Sequence, residues 1–200
     1  MNPSSLGAGA RAPGSRAQCF SHLVQSTWGI DYRIEPDDAD AFDASLDLMQ
    51  FASLRLVRMA GDTPFVAHRR GPGARERVSL LLQNEGRCTV TDHHGASVQL
   101  VAGDACLLPS EHGLMIARTT AFRQTVVDVP IADLAHSMAR WRAVADSARH
   151  CDRKRVGAVN DLLRFAFEHC GHLDRDCCAR LAATLIQLID AMLDEPLAAG

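Results

Sequence analysis

The stretch Arg77-Val78-Ser79-Leu80-Leu81-Leu82-Gln83-Asn84-Glu85-Gly86-Arg87-Cys88-Thr89-Val90-Thr91-Asp92-His93-His94-Gly95 reads as two short strands, each closed by a turn. Its apolar and β-branched residues favour extended backbone, and each glycine tolerates the positive φ that a tight turn needs. The same beat continues, because Gly86, Gly95, Gly103 and Gly113 follow one another at intervals of nine, eight and ten residues. Short strands between regular turns mark an antiparallel barrel or sandwich. Strands are predicted over 51–59, 65–69, 77–83, 87–92, 97–101, 105–109, 114–118 and 122–129. In the last of these, Phe122, Gln124, Val126 and Asp128 share one face, and Arg123, Thr125, Val127 and Val129 the other.

Past residue 130 the hydrophobic period lengthens. Ile131, Leu134, Ala135, Met138 and Trp141 recur at helical spacing, which predicts an amphipathic helix directly after the last strand. A second helix is predicted from about 153 to 170, with Asp152 as N-cap and Gly171 as its stop. A third follows Asp174 as N-cap and runs to about 194, where Pro196 forbids continuation. The two form a helical hairpin. Toward the other end, residues 1–27 are rich in Ser, Gly, Ala and Pro, carry Arg11 and Arg16, and have no acidic residue before Asp31. Such a composition predicts a flexible arm, with Phe20, Leu23 and Val24 as its only apolar patch. Arginine and serine without acids also describe an organelle transit peptide. The expected organisation is an arm over 1–27, a barrel over 28–130, a helical segment over 131–195 and a tail over 196–200.

Composition narrows the function classes. Hydrophobic residues at 47% and charged residues at 22% are globular values. The net charge of −3 lacks the basic excess with which a DNA-binding domain neutralises phosphates. Lys154 is the only lysine among 21 basic residues, which points to a GC-rich bacterial genome. The seven cysteines are odd in number, contain no C-x-x-C and follow no signal peptide, so a reduced cytoplasm is the expected compartment. No apolar run approaches the roughly 20 residues that span a bilayer, and a soluble protein is expected.

The residues Phe42-Asp43-Ala44-Ser45-Leu46, the core Leu80-Leu81-Leu82-Gln83-Asn84-Glu85-Gly86-Arg87 and the run Gly103-Asp104-Ala105-Cys106-Leu107-Leu108-Pro109 carry a family likeness. Together with Val127-Asp128-Val129-Pro130 entering a helix, they resemble the ligand-binding domain of AraC/XylS-type bacterial transcription regulators. The resemblance implies a mainly β fold with α: a cupin-like antiparallel β-barrel of the double-stranded β-helix type, followed by a C-terminal helical hairpin. It further implies a small-molecule effector in the barrel, a homodimer, and DNA binding only through a C-terminal region beyond Gly200. Gly103 and Pro109 also fit the start of the second cupin motif. There Glu111 replaces a glycine, Leu114 stands where a ligand histidine would be, and His112 comes two residues early. The first cupin motif is missing too, since His68 is followed by Arg69 and Arg70. No metal, cofactor or catalytic residue is therefore expected. The alternatives are a metal-dependent cupin enzyme, and a redox or metal sensor built on Cys170, Cys177 and Cys178 with His169 and His172.

Three residues are expected to touch the effector. His68 shares a strand face with Val66 and Arg70, and a barrel that binds an organic anion would use such a group. Arg58 lies on one face with Leu54 and Leu56 and offers a planar guanidinium to a carboxylate. His112 follows Pro109 in a loop at the barrel mouth. His93 and His94 are read as turn residues. In the last helix Leu181, Leu185, Leu188 and Met192 recur at steps of four, three and four, a seam predicted to pair two copies of the chain, unless the barrel itself covers that face.

Overall fold

The computed structural model describes residues 4–5, 13–70, 77–108, 112–134, 148–151 and 153–193. A two-residue strand β1 (Ser4–Ser5) and helix α1 (Pro13–Trp28) lead into β2 (Asp31–Pro36), β3 (Ala44–Phe51), β4 (Leu54–Gly61) and β5 (Phe65–Arg70). Then come β6 (Arg77–Glu85), β7 (Arg87–Asp92), β8 (Ser97–Val101), β9 (Ala105–Leu108), β10 (Leu114–Arg118) and β11 (Phe122–Pro130). After the short β12 (Arg149–His150) stand helices α2 (Arg153–His169) and α3 (Arg175–Leu193), with a 3-10 turn over Cys170–His172 between them. Two antiparallel sheets form, in the orders β1-β3-β4-β11-β6-β9-β12 and β2-β5-β10-β7-β8. This is the mainly β, cupin-like barrel with C-terminal helices that the glycine spacing and the family likeness predict.

The turns explain the register. Gly86 holds φ at 79°, and a Cβ there would stand 2.0 Å from the carbonyl oxygen of Ala121, so only glycine fits between β6 and β7. The Asp92 carboxylate accepts bonds from the amides of His94 (2.9 Å) and Ala96 (3.0 Å), closing the predicted hairpin around Gly95. The single strand predicted over 51–59 is instead the turn and second strand of a hairpin: Phe51 pairs with Leu54 across a two-residue turn whose Ala52 has φ 53°. An alanine in that conformation leaves no glycine or asparagine to announce the turn. The strands β2 and β3 were not predicted.

Two cores lie back to back on the larger sheet. Inside the barrel Val57, Met59, Leu81, Cys106 and Val126 meet Phe65, Ala67, Val90 and Ile116 of the smaller sheet. Outside it Leu54, Leu56, Leu80, Leu107 and Val127 are covered by Val156, Val159, Leu163, Leu185 and Ile189 of α2 and α3. The sheet is buried on both faces.

The predicted flexible arm is a second correction. Residues Pro13–Trp28 form α1, and Phe20 and Val24 join the inner core at 2% and 4% exposure. The apolar patch that composition discounts is what anchors the helix, because burying two such side chains offsets part of its ordering entropy. The helix predicted after Pro130 begins as a 3-10 turn over Ile131–Asp133 with Leu134 extended. Its remainder, Ala135 to Trp141, lies outside the described residues, as do Asp152, Pro109 and Glu111. At the start of α3 the Asp174 carboxylate accepts from the Cys177 amide at 2.7 Å, the predicted cap.

The dimer seam falls differently from its expectation. Leu185 and Met192 are buried in the core that α3 makes with the sheet, at 0% and 6% exposure. Leu181 and Leu188 are partly buried at its edge. Within the chain, the outer sheet face already covers the centre of the stripe.

Candidate functional site

Helix α1 lies against the barrel and carries the ring of Phe20 to within 5.8 Å of Phe42 and 5.9 Å of Phe65, both edge-on. Its last residue, Trp28, donates its indole N–H to Asp128 at 2.8 Å. Beneath the helix is a cavity of about 40 Å³, walled by Phe20, Val24, Ile30, Met59, Leu81 and Leu108 among other apolar groups. Three charged residues line it among the described residues, and all are arginines: Arg69, Arg77 and Arg118.

At one pole sits Asp128, 1% exposed. It accepts from Trp28, from Arg55 Nε at 2.7 Å and from Ser79 Oγ at 2.6 Å. Arg55 also donates to the carbonyl of Thr27, so the carboxylate and its arginine clasp the C-terminal turn of α1. Arg77 donates to the carbonyl oxygens of Ser53 (2.7 Å) and Asp128 (3.3 Å).

Arg118, 4% exposed, makes the other pole. Its Nε donates to Gln124 Oε1 at 2.8 Å, Gln124 Nε2 donates to Gln83 Oε1 at 2.7 Å, and Gln83 Nε2 donates to the carbonyl of Glu85 at 2.6 Å. That chain of amides orients the guanidinium, which also lies over the rings of Phe65 (4.5 Å) and Phe122 (5.0 Å). Its Nη1 is buried with no hydrogen-bond partner among the described residues. Burial pushes the Arg118 pKa down to about 10, which still leaves it charged at neutral pH. Nearby Arg69 donates to the carbonyl of His112; burial lowers the Arg69 pKa and raises that of the Tyr32 phenol, which lines the same cavity.

The chain matches the model of the AraC-binding-like domain over residues 21–194. It belongs to that family. The structure is similar to the crystal structure of the AraC-like transcriptional activator CuxR, with a TM-score of 0.77 over 100% of this chain and 73% of that one, at 14% identity. Smaller likenesses include a Cupin 2 conserved barrel domain protein from Salinispora arenicola (18% identity, 46% of this chain and 77% of that one, TM-score 0.36). Another is a putative ethanolamine utilization protein from Salmonella typhimurium (17% identity, 65% and 97%, TM-score 0.37). No curated protein matches the chain in sequence.

The three expected contact residues do not meet in this AraC-binding-like domain. Arg58 lies on the outer face, half exposed, 3.6 Å from Asp47 and 4.2 Å above the Phe167 ring of α2. It shares a face with Leu54 and Leu56 as predicted, but that face meets the helices. His68 is partly exposed and stands 3.4 Å from Glu35. Its neighbour Arg69 points inward instead, since adjacent strand residues take opposite faces. The ring of the exposed His112 stacks on His93 at 3.8 Å, and its carbonyl oxygen accepts from the cavity arginine Arg69.

Arg118 was missed, although a signal was present. Leu114, Ile116 and Arg118 alternate along β10, and a lone arginine ending an apolar face is an unusual occupant of a core. The cysteine cluster shows no comparable construction. Cys170, Cys177 and Cys178 are free thiols, with Arg180 Nη2 3.4 Å from the Cys177 sulfur and Cys170 packed on the outer core. Among the described residues no group of three or more His, Cys, Asp or Glu is placed to hold a metal ion. Burial raises the Cys88 pKa to about 11, keeping that thiol protonated and unreactive at neutral pH.

Proposed function

We propose that this AraC-binding-like domain is the effector-sensing part of a bacterial AraC/XylS-type transcription regulator and works as a binding module, not an enzyme. A small organic molecule occupies the barrel cavity, and α1 reports its presence. The seat of α1 carries this reading: Phe20 and Val24 form part of the cavity wall, while Trp28 is tied to Asp128. A ligand that contacts the wall contacts the helix. It shifts the position of α1 to the extent that it binds one position better than another. The CuxR likeness adds that a fold of this kind serves a transcriptional activator. Promoter recognition is assigned to another region of the regulator, because a net charge of −3 gives little attraction to phosphates. Pairing of two copies through α3 is left to the flank bearing Leu181 and Leu188, since Leu185 and Met192 are already covered.

The test is a screen of small acids, sugars, amines and aromatic compounds by Trp28 fluorescence in a Trp141→Phe background, followed by amide exchange. The expected ligand changes exchange across residues 20–28. A ligand that alters only α2 and α3 contradicts the proposal. Leu188→Glu is expected to leave a folded monomer by light scattering, and a wild-type chain that stays monomeric at high concentration refutes the dimer.

A further inference from the structure

A buried charge without a counter-charge is costly, and proteins normally neutralise it, pair it or give it solvent. Arg118 has none of these within the described chain. No carboxylate among the described residues pairs with it; what it touches is the Gln124 amide oxygen and the rings of Phe65 and Phe122. By contrast Asp128, also a buried charge of the barrel, has an arginine and two further donors. A network of two glutamine side chains holds the Arg118 Nε and leaves Nη1 over. Two more arginines border the same cavity, which has no acidic residue on its described wall.

We propose that the barrel cavity takes a small organic carboxylate, whose oxygens bond the Arg118 guanidinium while its hydrocarbon body lies against Phe20, Val24, Ile116 and Val126. This rests on the reading of the barrel as the effector site and names the chemical class of the effector. The planar fork of an arginine fits a carboxylate better than a hydroxyl or an amine. An amine would add a further positive charge beside the arginines, and a neutral ligand would leave the guanidinium without a counter-ion. The cavity of about 40 Å³ equals roughly three water molecules, so the body is short or α1 lifts to admit a longer one.

The experiment uses the full chain and matched pairs: butyrate against butyramide, and benzoate against benzamide, followed by calorimetry and by thermal melts. The expected result is binding of at least one carboxylate at millimolar concentration, with its amide weaker by roughly tenfold to a hundredfold. Arg118→Gln is expected to erase that preference, and Arg118→Lys to keep part of it. If Arg118→Gln does not fold, the carboxylate and amide comparison on the wild type still decides. Amides that bind as well as the acids overturn the inference and leave the barrel as an effector site. No binding by any of these carboxylates also overturns it. Outside the barrel Arg58, Arg123 and Arg164 border a polar cleft against α2. Carboxylate binding abolished by Arg123→Gln and Arg164→Gln but not by Arg118→Gln overturns both the inference and the barrel reading.

Discussion

Asp128 and Arg118 are both buried charges inside one barrel, and their surroundings are opposites. Asp128 receives three side-chain donors, two of which also hold the end of α1. Among the described residues Arg118 makes one side-chain bond and retains a buried N–H group without a partner. A paired buried charge fixes one arrangement of the elements around it; an unpaired one stores affinity for a counter-charge. The difference separates a structural clasp from a binding pole.

Removing the clasp is the largest break of that contrast. Asp128→Ala leaves the Arg55 guanidinium and the Trp28 indole without their acceptor, and should cost about 3–5 kcal/mol in urea denaturation. An unchanged midpoint erases the distinction. Removing the other pole should behave differently. Arg118→Leu discards an uncompensated charge but leaves Gln124 Oε1 without its donor, two effects of about 1–3 kcal/mol that oppose each other. The variant is expected within about 2 kcal/mol of wild type, or more stable, in the absence of ligand. A loss as large as that of Asp128→Ala makes Arg118 a structural group.

Acid provides a smaller test, at the start of α2. Burial raises the pKa of Asp104, but bonds from Arg153 at 2.6 Å and from the Val101 amide outweigh it, so its carboxyl titrates below the usual range. A depressed folded pKa means stability that is present above the ordinary carboxylate pKa and lost as pH falls through the folded one. Urea midpoints should therefore decline below pH of about 4, and Asp104→Asn should flatten part of that decline. A decline of the same steepness in the variant removes Asp104 from the account. Smallest of all is His68→Ala: its partly exposed contact with Glu35 should change stability by less than about 1 kcal/mol. A larger change, or a loss of carboxylate affinity, returns His68 to the site.

Most of the strand positions were legible because turn glycines and β-rich runs are local signals. The strands Arg87–Asp92, Ser97–Val101 and Leu114–Arg118 agree with their predicted limits residue for residue. The site was less legible. Arg58, His68 and Arg118 are all strand residues with cationic or polar side chains, and alternation says only which neighbours share their face. It does not say which face is inner. On an ordinary sandwich an apolar face is the core face, yet here the larger sheet is apolar on both, one toward the barrel and one toward α2 and α3.

The sequence alone therefore determined the local elements: strands paced by glycines, the Asp92–Gly95 hairpin, the helical hairpin capped at Asp174, and the sharing of one face by Gln124, Val126 and Asp128. Tertiary structure decided what each face meets. It turned Arg58 and His68 outward and Arg69 and Arg118 inward, covered Leu185 and Met192 with the sheet, and ordered α1 through Phe20 and Val24. The physical reason is range. Backbone propensity and side-chain alternation act over a few residues, whereas burial depends on partners such as Trp28 and Asp128, which are 100 residues apart in the chain.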